Sequence, residues 1–481
     1  MAGVDPLAAA VHDGDRTHDA VVVIPGIMGS VLVDAATRKP LWSAGVAVAI
    51  AARHSAAEAL AALRVRDGDP GGVEPAGLLK GPAWAPVIGG IEPYTALTRA
   101  LGRVVADPAA VLEFAYDWRL SVEHNAGLLE RAMHEHLERW WTHPAYQQAR
   151  RLYADGDEGR LVLVAHSMGG LVVAALAARG SMDEVRRVIT LGTPFHGSVK
   201  TLQILAHGEG TPLPFPRQAL RELAATMPGL HDLLPTYRCI RTDDDVVALR
   251  PADVAGIGGD ADLARRALER GARLPAVHLP EHACIAGIGQ PTTVSAELRD
   301  GRVIPSPSGY RRHADGELVR DAIGRPLEFT FHGDGTVYRY AAGRADTPEI
   351  PVVQQHGALP YAPGALDLVL GRVTGSPDPG AVLGEEDVLG VELPDVATVG
   401  APFTVRIIGK NDPARVVVSV RPAGGGPPVV ADRRPRPDAA GDALSADVAV
   451  ARPGLYRVTV TGGSDSVTGL VLVGAADAGS R

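Results

Sequence analysis

The sequence predicts an α/β chain followed by a smaller all-β unit, and three observations carry that prediction. Short apolar runs at residues 21–24, 111–115, 161–164, 185–191 and 282–288 alternate with stretches patterned at helical spacing, as in a mostly parallel sheet. One run passes through a sharp turn into a helix at Ala165-His166-Ser167-Met168-Gly169-Gly170. From about residue 388 the pattern changes to brief β-rich runs between turns.

Length and composition bound the possibilities. At 481 residues the chain exceeds a single core, and ~100–200 residues per domain implies two or three domains. A hydrophobic content of 46% with 21% charged residues is that of a soluble globular protein. Net charge is −9 and no dense Lys/Arg run occurs, which argues against nucleic acid as the main partner. Cys239 and Cys284 cannot make a disulfide framework and read as small apolar core residues. The first twenty residues read as a loose acidic tail without a basic or continuous apolar segment, so no signal peptide is expected. No run approaches the ~20 apolar residues of a membrane span, and a cytoplasmic location is expected.

In order, residues 21–24 form a buried strand that ends in Pro25-Gly26-Ile27-Met28-Gly29, where the glycines let backbone approach a ligand. The Ala-rich stretch 44–63 reads as a packed helix, with a bilayer-touching patch as the alternative. Residues 70–86 read as a Gly/Pro-rich loop. A helix near 94–101 and a strand near 111–115 lead into Tyr116-Asp117-Trp118-Arg119, whose charges suit an ion pair or cap. Helical patterning over 122–141 precedes the turn at Ser167.

That turn is a nucleophile elbow. A serine held in a strained conformation crowds its neighbours, so small residues are needed two places before and after it, and Ala165 and Gly169 meet that need. Ser167 then stands at a helix N-terminus, where backbone N–H groups favour developing negative charge. If residues 21–24 lie beside the elbow strand, the amides of Ile27 and Met168 can form an oxyanion hole. Losing one such donor typically costs ~2.7–4 kcal/mol of transition-state stabilisation.

Residues 185–191 form another strand, which ends in Gly192-Thr193-Pro194-Phe195-His196-Gly197-Ser198. His196 is the nearest histidine in topology, but the usual chain order, serine then acid then histidine, points further on. Residues 199–275 alternate Pro-rich loops with short helices and suit an inserted lid. Strand character returns at 282–288. Asp300-Gly301 and Asp315-Gly316 are turn signals. Gly333-Asp334-Gly335 follows a strand at 327–331, and His356 lies 22 residues after Asp334 in a loop preceding an amphipathic helix near 364–370. An unperturbed imidazole, with a pKa of ~6.5, can take the Ser167 proton and return it to a leaving group. Asp334 would fix its tautomer.

Residues 21–375 resemble the lecithin:cholesterol acyltransferase family of α/β-hydrolases, which includes lysosomal phospholipases and bacterial acyltransferase-like lipases. IPGIMGS, FAYDWRL, LVAHSMGG, LGTPFHGS, GIGQPTT, GDGTV and HGALP carry the likeness, in the family's order. The resemblance implies an α/β-hydrolase fold with an inserted lid and Ser167, Asp334 and His356 as the triad. It also implies the Ile27 and Met168 amides as the oxyanion hole and Trp118 near the acyl pocket. It implies a lipid or other acyl-ester substrate; no metal and no cofactor are expected, and transient membrane-surface contact is the alternative that the Ala-rich stretch offers.

Residues 376–387 read as a Pro/Gly/acid-rich linker. About seven short strands follow over 388–475, the count of an immunoglobulin-like β-sandwich, and Pro453-Gly454-Leu455-Tyr456 suits a tyrosine corner. No catalytic constellation occurs there, and its partner is not legible. The expected activity is that of a serine esterase working through an acyl-enzyme, with water or an alcohol as acceptor. The contrasting expectations are a catalytically silent scaffold that binds through its sandwich, and amide hydrolysis by the same triad.

Overall fold

A computed structural model describes residues 16–44, 60–66, 71–85, 89–151, 157–208, 217–313, 316–330, 333–375, 388–438 and 441–474. Six parallel strands form the central sheet: β1 (Ala20–Ile24), β2 (Val111–Glu113), β3 (Leu161–His166), β4 (Val185–Leu191), β5 (Ala283–Ile288) and β6 (Glu349–Val353), in the order β6-β5-β4-β3-β1-β2. Strands β1, β3 and β5 are buried along their whole length, which explains their continuous rather than alternating apolar sequence. This is a mixed α/β architecture that fits the α/β-hydrolase class.

The helices cover that sheet through their apolar faces. Helix α1 (Thr95–Val104) buries Leu97, Ala100, Leu101 and Val104, and α2 (Val122–Thr142) buries Val122, Ala126, Leu129, Met133, Leu137 and Trp140 at helical spacing. Ser121 starts α2 by accepting a hydrogen bond from His124 N at 3.2 Å. Helix α3 (Met168–Ala178) is apolar all round because it is buried along most of its length, and α4 (Pro363–Thr374) follows the His356 loop. Between β4 and β5 lie helices Lys200–His207, Arg217–Ala225, Pro228–His231, Pro251–Gly256 and Ala261–Gly271 and the short strands Ile240–Arg241 and Val246–Val247.

Several expectations meet a different structure. Residues 17–19, read as part of a loose tail, are tied to the fold: Thr17 N donates to Val104 O at 2.8 Å, Trp140 Nε1 donates to His18 O at 2.8 Å, and Asp19 pairs with Arg186 at 2.9 Å. The segment read as a loop over 70–86 contains the strand Val73–Leu78, paired antiparallel with Ser30–Asp34, and the strand Ala83–Ala85. Pro75 is tolerated because its strand is an edge and the register shifts beside it. Residues 45–59 of the Ala-rich stretch, the Pro-rich 211–216 and the linker 376–387 lie outside the described residues.

Beyond the linker, β7 (Gly390–Glu392), β8 (Val396–Thr398), β9 (Pro402–Ile408), β10 (Val416–Pro422), β11 (Val430–Arg433), β12 (Arg436–Pro437), β13 (Leu444–Ala449), β14 (Gly454–Gly462) and β15 (Asp465–Gly474) form two sheets. Their orders are β7-β9-β13-β12 and β8-β15-β14-β10-β11. Alternate residues such as Val405 and Ile407 from one sheet, and Val418, Val420, Val458 and Val471 from the other, share one core. All pairings are antiparallel except β8 with β15. The two strands that escape the sequence reading, β8 and β12, are short and exposed or half-buried. The Tyr456 hydroxyl donates to Arg452 O at 3.0 Å.

Candidate active site

Ser167 sits between β3 and α3 with φ 54° and ψ −127°, a region that non-glycine residues rarely occupy. Its surroundings keep it there. Ser167 N donates to Leu191 O at 2.9 Å, and Gly170 N donates to Ser167 O at 3.0 Å. A Cβ on Gly169 would lie 2.6 Å from Ile24 O, and one on Gly26 would lie 2.8 Å from Ser167 Cβ. Both glycines are required by close approach, so the elbow strand and the loop after β1 press together.

His356 opens a one-turn helix just past β6. Its Nε2 lies 2.8 Å from Ser167 Oγ and its Nδ1 lies 2.7 Å from Asp334 Oδ2, with both side chains buried. Because a carboxylate only accepts, Nδ1 carries the proton and Nε2 is left to accept from the serine hydroxyl. The other carboxylate oxygen, Oδ1, accepts from Thr336 N at 3.0 Å and Val337 N at 2.6 Å. His356 N donates to Asp334 O at 2.8 Å, so backbone and side chain hold the same pair. Gly192, at φ 58°, ends β4 beside them; a Cβ there would sit 3.0 Å from His356 Nδ1 and 3.1 Å from Asp334 Oδ2.

A second buried chain of hydrogen bonds runs beneath the site. His166 Nε2 lies 3.1 Å from His356 O, an oxygen that can only accept, so His166 is protonated at Nε2 and its Nδ1 accepts from the Tyr94 hydroxyl at 2.8 Å. The Tyr94 oxygen in turn accepts from Gly26 N at 2.8 Å. Burial, and then the neighbouring His356, hold the His166 pKa well below the ordinary imidazole value, which keeps this link neutral. Sequence reasoning missed Tyr94 because its partners are 68 and 72 residues away.

The remaining candidates are placed as follows. Ile27 is buried in the loop after β1 and lines, with Ser167, Pro194, Thr201, Leu233 and Val337, a cavity of about 20 Å³. Met168 is the first residue of α3, so its N–H belongs to the helix turn that lacks intrahelical acceptors. Trp118 is fully buried; its Nε1 donates to Ser30 O at 3.2 Å and its ring meets Trp42 edge-on. It is not among the residues lining the Ser167 cavity. Asp117 and Arg119 form a buried bidentate pair at 2.6 and 2.9 Å. His196 stacks on Tyr340 rather than meeting Ser167, and burial pushes its pKa down to about 4. A larger cavity of about 250 Å³ borders His356 and Asp334 and is lined on its other side by Leu393, just past β7, and Leu470 of β15. Cys239 and Cys284 are unbonded and buried, and burial pushes both thiols up to about 12.

Residues 90–253 match the family model described as lecithin:cholesterol acyltransferase. Over that span the chain is lecithin:cholesterol acyltransferase-like. The match includes Ser167 and stops before Asp334 and His356, and it supports acyl-ester chemistry, hydrolysis or acyl transfer, in general terms. Among solved structures, one similar to this chain is that of a Tle4–Tli4 complex, with 16% identity and a TM-score of 0.47, covering 74% of this chain and 98% of that one. Another is the Bacillus licheniformis lipase BlEst2 in propeptide form, with 11% identity and a TM-score of 0.29, covering 96% and 75%. No curated protein matches the chain. No described helix is long and apolar enough to cross a membrane. No cluster of three or more His, Cys, Asp or Glu suited to a metal occurs among the described residues.

Proposed function

We propose that this protein is a serine acyl-ester hydrolase of lipase type that works through an acyl-enzyme on Ser167. The observation that carries the reading is the unbroken chain from Ser167 Oγ to His356 Nε2 and from His356 Nδ1 to Asp334 Oδ2, at 2.8 and 2.7 Å. His356 takes the hydroxyl proton as Oγ attacks the ester carbonyl, and Asp334 stabilises the imidazolium that forms. The tetrahedral oxyanion is held by the amides of Ile27 and Met168, a role supported by the shared cavity at Ile27 and by the helix start at Met168. Collapse returns the proton to the leaving alcohol, and water or a second alcohol then attacks the acyl-enzyme with His356 as base.

The cavity at Ser167 has room for about one water, so an acyl chain enters only when its wall at Thr201 and Leu233 moves. We assign that wall to the insertion spanning about 199–275, with transient contact at a lipid surface as the setting in which it opens. Trp118, through Ser30, supports the loop that carries Ile27 rather than the acyl chain itself. We read the C-terminal sheets, residues 388–475, as an immunoglobulin-like sandwich, a reading that the shared core and the Tyr456–Arg452 hydrogen bond support.

Incubation with p-nitrophenyl acyl esters and a fluorophosphonate tests the function. Ester turnover and a covalent adduct, both lost in Ser167→Ala, are expected; turnover that survives the substitution contradicts the reading. Product ratios with and without added alcohol separate acyl transfer from hydrolysis.

A further inference from the structure

The histidine and the acid sit on segments that the central sheet secures poorly. β6 is an edge strand, and Asp334 lies in a loop between β5 and β6. What fixes both segments on the outer side is the C-terminal pair of sheets, through three glutamine side chains and one ion pair. Gln354 Oε1 accepts from Thr468 N at 2.9 Å, and its Nε2 donates to Ser466 O at 3.3 Å, so this amide takes the place of a neighbouring strand along β15. Gln355 Nε2 donates to Val391 O at 3.2 Å, and a side chain on Gly469 would collide with that amide.

Gln290 does the same for the acid. Its backbone exchanges hydrogen bonds with Gly333 at 2.9 and 3.1 Å, directly before Asp334. Its side chain donates to Leu389 O at 3.0 Å and accepts from Val391 N at 3.1 Å on β7. On the far side of His356, Glu92 N donates to Gly357 O at 3.0 Å, while the Glu92 carboxylate takes both arms of Arg457 from β14 at 2.5 and 2.6 Å. That guanidinium also lies over the Tyr361 ring, 4.7 Å from its centre. Glu92 is 1% exposed and Arg457 11%, so the pair is shielded from solvent.

We propose that the C-terminal sheets are a positioning element of the catalytic site, with Gln290 holding the Asp334 loop and Gln354 and the Arg457–Glu92 pair holding the His356 loop. The inference rests on the triad reading above. None of these groups touches Ser167 Oγ; they act through the segments that carry the acid and the base. A glutamine amide suits the task because it donates and accepts at once, satisfying an N–H and a C=O of an adjacent strand. With the amide replaced by an apolar group, those backbone groups lose their partners and the loop shifts. A displacement of about 1 Å at the base costs on the order of 10²-fold in rate.

The test uses full-length protein and the variants Gln354→Leu, Gln290→Leu, Gln355→Ala and Arg457→Met, with Arg457→Lys as the conservative partner. The readouts are the rate of fluorophosphonate labelling, kcat and KM on a p-nitrophenyl ester, the pH profile of kcat, and the thermal midpoint. We expect kcat and labelling to fall about 10- to 100-fold. KM stays within about twofold, the pH profile of kcat changes, and Arg457→Lys retains more activity than Arg457→Met. Gln355→Ala, which loses a single bond at a half-buried position, keeps the test open should the deeper variants fail to fold. Folded variants that label at the wild-type rate with an unmoved pH profile, whatever their stability, overturn the proposal. Absence of labelling in the wild-type protein sinks the triad reading instead, so the two failures are distinguishable.

Discussion

Ser167 is strained, buried and hydrogen-bonded to a buried imidazole, a combination that costs stability unless the surroundings impose it. Removing the hydroxyl therefore has two separable effects. Ser167→Ala is expected to lower kcat/KM by roughly 10⁴–10⁶-fold while changing the urea midpoint little; activity assays and denaturant titration check the two. Asp334→Asn retains the acceptors for Thr336 N and Val337 N but offers an amide to His356 Nδ1, which stabilises the wrong tautomer. A loss in kcat of about 10⁴-fold is expected in steady-state assays. Gly192→Ala is the sharpest steric probe, since its methyl would press on the His356–Asp334 hydrogen bond from a backbone at φ 58°. The expected loss in kcat is at least about 10²-fold, and an unchanged kcat would mean that the pair relaxes at no cost. At this scale the sequence was informative where a residue type is forced by local geometry: the small residues around Ser167 are legible without coordinates, and Asp334, a turn signal like Asp300 when taken alone, gains meaning only from His356 after it. Tyr94 and His166 were not, because a hydroxyl–imidazole–carbonyl relay across three segments leaves no local pattern.

Elements were legible in proportion to their burial. β1, β3 and β5 are continuous buried runs and β4 is one past Arg187, and all stand where the pattern puts them, whereas the strand Val73–Leu78 alternates exposed and half-buried residues between its buried ends and reads as a loop. Helix α2 shows how an element can also carry a pH response. Its first residue, Val122, donates from N to Asp232 Oδ2 at 2.8 Å, and burial pushes the Asp232 pKa from 3.8 up to about 6 despite Arg270 nearby. The folded chain thus holds a proton that the unfolded chain releases between about pH 4 and 6. Asp232 adds stability that is fully present below its ordinary pKa and is lost as pH rises through about 6. Asp232→Asn is therefore expected to exceed the wild type by up to roughly 2–3 kcal/mol at pH 7 and to converge with it near pH 4, as read from urea midpoints across pH.

At the scale of the molecule, the two halves of the chain meet beside the catalytic histidine through a shielded ion pair and three glutamine side chains, with Leu472 packed into the first core and Val353 against the second. Breaking one side of such a pair leaves a buried charge without a partner. Glu92→Gln should cost about 3–5 kcal/mol, and the double variant Glu92→Leu/Arg457→Leu should recover much of it; chemical denaturation of the two variants against the wild type checks both. The sequence marks off the second half by the change from mixed to all-β patterning, but it offers no sign that the second half reaches the first at Gln290, Gln354 and Glu92. Those contacts join residues 99, 114 and 365 positions apart, and each glutamine looks like an ordinary loop residue in isolation. The account stands or falls on the nucleophile. Intact-mass analysis after exposure to a fluorophosphonate, followed by peptide mapping, should give one adduct on Ser167 and none in Ser167→Ala. An unmodified wild-type mass, or an adduct that maps to another residue, would contradict it.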